Sequence, residues 1–467
     1  MVLPHSFLQS LEGVPGFDRM AFEDVHTAGR QVTSLRINPA KWNYPGAKKL
    51  IDGFRQNQGR EIKESPIPWC ANGYYLDERP SFTFDPFLHA GVYYVQEASS
   101  MFIGYALEKA CKGKSSLRAL DLCAAPGGKT TLLASIENIS FLVSNEIIRS
   151  RVPALYENVV KWGSPNVLIT QDDPRDFQRL PGFFDIMLVD APCSGSGLFR
   201  RDQDAVKEWS PQNVTICSQR QQRILADALP ALREDGLLIY STCSYSREED
   251  ENILDWLVDS FDMETVQIDI PVEWGIIETA SEAKQAFGYR FYPDKIKGEG
   301  FFMACLRKKK ETDAGTWKIL KPDMASAAEQ KLLAEWIKNA DSFAFIRRNE
   351  EYMAMPTGIL EDFAVISANL SLRKSGTRIG KLIRGKLNPD HELAMSTMHN
   401  QEIQTHTLDY DDAIRFLKKE NSIPRSAQQG WLLIEYEKQS LGFIKSMPGR
   451  ANNYYPADWR IRSGSPF

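Results

Sequence analysis

In SLRALDLCAAPGGKT, residues 116–130, an apolar strand-like run stops at Asp121, passes through two adjacent glycines and opens into a helical pattern at Thr130. Adjacent glycines permit a tight turn and let a ligand approach the backbone closely. The turn is not a Walker A loop, because that pattern needs glycine where Cys123 stands. It also lacks the GxGxxG spacing of a dinucleotide cradle. A strand, glycine turn and helix of another kind are expected, with the ligand at the strand's carboxyl end.

The pattern extends both ways. Upstream, ASSMFIGYALEKACKG predicts a helix ending near Gly113. Downstream, FLVSNE, NVLIT, FFDIMLVDAP and LREDGLLIYSTCS predict strands. Between and after them, IIRSRVPALYENVVKWG, SQRQQRILADALPAL and EEDENILDWLVDSF predict helices, the second liable to split at Pro230. Residues 287–307 resemble a closing hairpin that turns at GEG. Such alternation predicts an α/β fold, a doubly wound sheet with helices on both faces. Residues 1–85 mix short helical pieces with Pro- and aromatic-rich turns such as ESPIPW, an extension that folds onto something else. Past 311 the alternation stops: 323–349 reads as mostly helical, and from 352 short strands are broken by Gly and Pro. Three domains are expected, at 1–85, 86–310 and 311–467.

The bulk numbers are those of a folded soluble chain: 467 residues, 43% hydrophobic, 25% charged, net charge −5. No secretory leader or run of about 18 apolar residues is evident, so cytoplasmic placement away from membranes is expected. Seven cysteines without framework spacing imply a reducing compartment, and the absence of CxxC or HExxH argues against a metal site. Bulk charge gives no nucleic-acid signal, which must come from local clusters.

Acidic residues recur at strand ends: Asp121, Glu146 and Asp173. That edge of an open α/β sheet is where ligands bind. A carboxylate after the second strand can take a ribose diol, and a cationic amino-acid end suits Asp121, so S-adenosylmethionine is the expected cofactor. Two cysteines occupy the same edge, Cys193 in DAPCSGSG after Asp190 and Cys243 in YSTCS. Cys111, Cys217 and Cys305 lie in apolar or helical patterns and read as inert core. Carbon 5 of cytosine is a poor nucleophile until a thiolate adds to carbon 6 and turns it into an enamine carbon. A carboxyl group at N3 would stabilise the developing charge, and a base must remove the C5 proton before the thiolate leaves. Cys243, Asp190 and Cys193 can fill those roles, but placement alone does not say which thiol attacks. The Pro192–Cys193 pair mimics the nucleophile of DNA cytosine methyltransferases.

In this order and spacing, DLCAAPGGKT, NE, DAPCSGSG and YSTCS resemble the motifs of the Sun-type family of RNA cytosine-5 methyltransferases. The resemblance implies a Rossmann-like methyltransferase sheet with an amino-terminal α+β extension and a carboxy-terminal α+β, partly PUA-like, module. It implies Cys243 as the nucleophile, Cys193 as the helper in product release and Asp190 at cytosine N3. Cys123, Ala124, Ala125, Pro126, Gly127, Gly128 and Lys129 would line the cofactor site with Glu146, Arg151, Asp173 and Asp190. SLRINP (34–39) resembles the family's short amino-terminal motif, implying RNA contacts by Arg36 and Asn38, and GEGFF (298–302) its late catalytic segment. MVLPHSFLQSL, GTRIGKL, NPDHELAM and NNYYPADWRI resemble the longer bacterial members that methylate 16S ribosomal RNA. The chain departs from the family where Pro293–Asp294 replaces a frequent Pro-His and where KSMPGRANNYYP is less basic.

SLRKSGTRIGKLIRGK (371–386) carries six basic residues and no acid. Lys374, Arg378, Lys381 and Arg384 are candidate phosphate contacts, with RKKK at 307–310 as a second cluster. Trp431, Tyr454, Tyr455 and Trp459 are candidates to stack bases or to form a small core. The expected partner is RNA, 16S ribosomal RNA or the small ribosomal subunit, bound by a monomer that flips the target cytosine from its stack. The alternatives are the same chemistry on transfer RNA, or a non-catalytic ribosome-assembly factor, which would need neither thiol.

Overall fold

The computed structural model describes residues 3–42, 48–59, 62–310, 316–420, 429–462 and 464. At its centre is a sheet of ten strands: β1 (Leu117–Asp121), β2 (Ile139–Asn145), β3 (Val167–Thr170), β4 (Phe184–Asp190), β5 (Leu232–Thr242), β6 (Met263–Thr265), β7 (Ile277–Ala280), β8 (Phe287–Phe291), β9 (Phe301–Lys308) and β10 (Leu372–Lys374). Their order is β7-β8-β9-β5-β4-β1-β2-β3-β10, with β6 paired to β9. Strands β1 to β5 pair in parallel, and β9 and β10 pair antiparallel at either side. From β1 the chain winds outward to β3, then returns to β4 on the other side of β1. The crevice at that reversal lies above the carboxyl ends of β1 and β4.

Side chains alternate across the strands, as period two requires. Leu120, Phe141 and Val143 face one core while Ala119 and Leu142 face the other. Helices α1 (Phe102–Ala110), α2 (Gly128–Leu133) and α3 (Val152–Trp162) cover the second face. Helices α4 (Pro211–Ala228) and α5 (Glu251–Phe261) cover the first. The expected helix 147–163 starts only at Val152, behind Arg151, and α4 ends where Pro230 sits in a 3-10 turn.

The connection from β3 to β4 carries only the 3-10 turn Pro174–Arg179, leaving that part of the first face uncovered. A helix from the carboxy-terminal half, Leu360–Asn369, fills the space with Phe363, Ile366 and Leu370. The chain then adds β10 to the edge of β3. Trp317 packs edge-on against Phe183 at 5.1 Å and donates to the Pro181 carbonyl. The expected boundary at 310 falls beside residues 311–315, which lie outside the described residues, and the central sheet does not respect it.

The expected 311–467 module resolves into two four-stranded sheets. The first comprises Phe343–Arg348, Glu351–Pro356, Thr377–Ile383 and Lys386–Pro389. The predominantly helical reading of 323–349 is corrected: only Ala327–Ala334 is α-helix, and 343–348 is a strand. The second sheet comprises Thr405–Leu408, Gly430–Tyr436, Gln439–Met447 and Arg450–Asn453. The amino-terminal sheet, Thr33–Ile37, Glu64–Ile67, Cys70–Leu76 and Tyr93–Tyr94, extends past the expected limit at 85. Its Leu35 and Tyr93, with Phe87 of the short helix Pro86–His89, share one core with Phe416, Leu432 and Tyr455. No helix among the described residues is long and apolar enough to cross a membrane.

Candidate active site

The glycine turn leaves β1 at Asp121 and enters α2 at Gly128. Gly127 has φ +110°, a left-handed conformation that a side chain would strain. A Cβ on Gly128 would stand 3.1 Å from the ring of Tyr94. The turn is pinned from below: Ala124 N donates to Asn145 O (2.8 Å) and Ala125 N to the Glu146 carboxylate (3.3 Å). Glu146 also accepts from Ile148 N (2.8 Å) and pairs with Arg151, which donates to the Ala125 carbonyl. Asp121 is fully buried beneath the turn and accepts from the Thr130 hydroxyl (2.6 Å). Burial pushes its carboxyl up to about 7, and its second oxygen has no partner among the described residues.

Above the turn lies a cavity of about 370 Å³, lined by Cys123, Ala124, Ala125, Pro126, Gly128, Lys129, Asp190 and Cys243 on the motif side. Tyr94, Glu97, Arg201, Glu299 and Phe301 line the rest. Glu146 lies just under the lining. Asp173 instead caps the 3-10 turn after β3, accepting from Arg175 N (3.2 Å), and does not reach the cavity. Tyr94, Glu97 and Arg201 carried no sequence signal, because the first two follow an irregular extension and the third sits in a loop.

Lys129 reaches across from α2 to Asp190 (Nζ to Oδ2, 2.8 Å), whose other oxygen accepts from Ser241 (2.8 Å). Burial pulls the Lys129 ammonium down, but Asp190 and Asp121 outweigh it and hold it above its ordinary value. The two thiols converge from β4 and β5: Cys193 Sγ and Cys243 Sγ are 2.8 Å apart, both free. Their loops interlock, with Gly197 N donating to Cys243 O (2.8 Å) and Gly300 N to Gly197 O (3.2 Å). A Cβ on Gly197 would meet Gly300 O at 2.4 Å, so glycine is required there. A hydrogen bond to Cys243, then burial, hold the Cys193 thiol well above its ordinary value. The buried pair Arg200–Glu299 (2.9 Å) fixes the 298–301 segment over the site. Cys111, Cys217 and Cys305 are buried in packed surroundings. No group of three metal-ligating side chains occurs among the described residues.

The expected RNA contacts divide sharply, and half of them are corrected. Arg36 is buried, donating to Gln96 (2.8 Å) and Thr131 (2.7 Å) beneath the face of Trp162. Asn38 is buried too, tying Gly91 O (3.0 Å) to Trp162 O (2.9 Å). Both hold the amino-terminal sheet to the central domain and are closed to RNA. Lys374 is buried in β10 against Glu392. Arg378 is surrounded by Glu351, Asp390 and Glu392, and Lys381 lies near Glu350 and Glu351. Arg384 is exposed, with no ion-pair partner among the described residues.

A glycine turn pinned over Glu146 at the switch point of a Rossmann-like sheet, opening on a cavity within the roughly 300–1,000 Å³ usual for small-molecule sites, defines an S-adenosylmethionine-dependent methyltransferase. Comparison with known families narrows the class. Residues 110–307 match the model of 16S rRNA methyltransferase RsmB/F. Residues 3–98 match the N-terminal domain of 16S rRNA methyltransferase RsmF, and 404–461 the RsmF PUA domain. The chain is 29% identical to "Ribosomal RNA small subunit methyltransferase F" of Cronobacter sakazakii, over 100% of this chain and 98% of that one. It is 28% identical to the Psychromonas ingrahamii protein of the same name, over 98% and 97%. Among solved structures, a methyltransferase homolog protein from Pyrococcus horikoshii matches 66% of this chain and 100% of its own at 28% identity (TM-score 0.50). NSun6 from the same organism matches 66% and 99% at 20% identity (TM-score 0.54), a likeness of fold. The chain belongs to the Sun-type, RsmF-like family of bacterial RNA cytosine-5 methyltransferases.

Proposed function

We propose that this enzyme methylates carbon 5 of a cytosine in 16S ribosomal RNA, with Cys243 as the attacking thiol. The observation that carries the residue roles is the meeting of the two thiols, 2.8 Å apart, with Cys243 in the wall of the cavity that Asp190 and Lys129 share. Relatives aligned along nearly their whole length, and named for the small ribosomal subunit, support the choice of RNA.

The cofactor would rest on the 123–129 turn with Glu146 beneath it, and supplies an electrophilic methyl group on a sulfonium sulfur. Asp190, held by Lys129 and Ser241, takes the proton of the Cys243 thiol and passes it to N3 of the flipped base, which neutralises the negative charge that builds there. The Cys243 thiolate so formed adds to carbon 6, the electron pair of the 5,6 double bond moves to carbon 5, and carbon 5 takes the methyl, the broken bond's electron pair staying on the departing thioether sulfur. Cys193, having released its own proton to solvent, then accepts the C5 proton; the electron pair re-forms the double bond, the Cys243–C6 bond breaks to free the thiolate, and Asp190 takes back the N3 proton. The enzyme acts in the cytoplasm as a monomer. Bisulfite sequencing of ribosomal and transfer RNA from cells with and without the gene tests the proposal. Loss of protection at cytosine in 16S ribosomal RNA is the expected result, whereas loss confined to a transfer RNA would refute the substrate.

A further inference from the structure

Glu249 lies in the loop between Cys243 and α5, completely shielded from solvent. Its carboxylate accepts from Ser194 N (2.8 Å), the Ser194 hydroxyl, the Ser244 hydroxyl (2.7 Å) and Gln221 Nε2 (3.0 Å). Ser194 follows Cys193 and Ser244 follows Cys243, so one carboxylate grips both thiol-bearing loops. Gln221, on α4, also donates to Pro192 O (3.1 Å), and the Tyr240 hydroxyl lies 3.1 Å from Gln221 Oε1. Next to it, Asp250 accepts from Thr242 (2.7 Å) and pairs with the buried Arg290.

The thiols are fifty residues apart in sequence and arrive on different strands, so their separation is set by what bridges the loops. Backbone bonds through Gly197 supply one bridge, and Glu249 supplies another that engages the Cys193 side directly. The residue type follows from the donors. An ionised carboxylate is acceptor-only with about four lone-pair sites, matching four donors. An amide has one accepting oxygen, and its NH2 would face donors already there. Bonds to a charged acceptor are roughly twice as strong as neutral ones.

We infer that Glu249 is a positioning residue, which holds the Cys193 loop against the Cys243 loop so that the second thiol reaches the adduct made by the first. This rests on the roles proposed above for the two cysteines. The Glu249 charge, after the bond to Cys243 and burial, also helps keep Cys193 protonated at rest.

The test uses the full chain carrying Glu249→Gln, or the milder Ser194→Ala, with S-adenosylmethionine and unmethylated 16S ribosomal RNA. First-turnover methyl transfer is expected to stay within about threefold of wild type, while steady-state turnover falls about tenfold or more. Protein–RNA adduct should accumulate as a retarded band on a denaturing gel, strongly in Glu249→Gln and weakly in Ser194→Ala, and vanish when Cys243→Ala is added. Wild-type turnover with no band would overturn the inference. So would first turnover and steady state falling together with no band, which would leave Glu249 merely holding the fold. If Glu249→Gln does not bind S-adenosylhomocysteine, Ser194→Ala decides by the same outcomes. A Cys193→Ala enzyme that forms no band would instead locate the failure in the cysteine roles themselves.

Discussion

Cys243 and Cys193 are the same chemical group made different by their neighbours. Both are half-buried and hydrogen-bonded to each other, but Cys193 lies near the Glu249 carboxylate, whereas Cys243 lines the cavity within electrostatic reach of the Lys129 ammonium. Cys243→Ala should therefore abolish methylation while leaving cofactor binding intact by calorimetry. Cys193→Ala should permit the first methyl transfer and leave RNA covalently attached, and the double variant should show no adduct. The reverse pattern would assign attack to Cys193, and two fully active single variants would make both thiols inert. Asp121 makes a second prediction. Its carboxyl titrates near 7 in the folded protein, against an ordinary 3.8. The folded state thus holds the proton more tightly, so this contribution to stability is complete below about pH 4 and is lost as pH rises through 7. Asp121→Asn removes the titration. Denaturant midpoints at pH 5 and pH 8 should show the variant gaining on wild type at the higher pH.

At the scale of elements, the helix Leu360–Asn369 belongs by packing to the central sheet, although nearly two hundred residues separate it from β3. Phe363→Ala should lower stability by about 3–5 kcal/mol, the range for emptying a buried aromatic site. Calorimetry should show the central domain's transition shifting, whereas an unchanged central transition would mean the two halves are independent. A chain ended near 315 should likewise lose central-domain stability, because Phe183 and the β3 edge would be uncovered. This interdependence could not be read from the sequence. The parallel strands were legible because each is an apolar run ended by an acid, a glycine turn or a cysteine, and the cavity's motif side followed from them. Strand β10 has three residues, too few to show a period. The 343–348 strand was hidden because its hairpin turns at Asn349–Glu350, both with positive φ, without the Asn-Gly that usually marks such a turn. Glu437–Lys438 turns the same way between Gly430–Tyr436 and Gln439–Met447. Arg36 and Asn38 misled for another reason: RNA contact was implied for them by the resemblance of SLRINP to a short family motif, and nothing local says that they face another domain.

For the molecule as a whole the net charge is −5, so phosphate must be met by local basic groups that lie outside ion pairs. Arg384 and Lys386, exposed around the turn at Gly385, are two that remain. Replacing both with alanine should weaken RNA binding and reduce the salt slope by about 0.7–0.9 for each phosphate that is no longer neutralised. Arg36→Ala should leave that slope unchanged and lower stability instead, by on the order of 1–3 kcal/mol for the buried acceptors it abandons. An equal slope in the double variant and wild type would remove this turn from the RNA path. The core shared by residues 33–94 and the strands at 405–461 bears on how such a chain is made. While the ribosome is still adding the residues between them, Leu35, Phe87 and Tyr93 lack the part of their core that Phe416, Leu432 and Tyr455 supply. At about 5–20 residues per second that interval is on the order of 15–60 s, long enough for an open apolar face to attract chaperones or other nascent chains. Synthesis therefore proceeds from the first residues, but consolidation of the amino-terminal sheet waits for the last strands to emerge, and a prematurely terminated chain would expose its defect at the opposite end from the break.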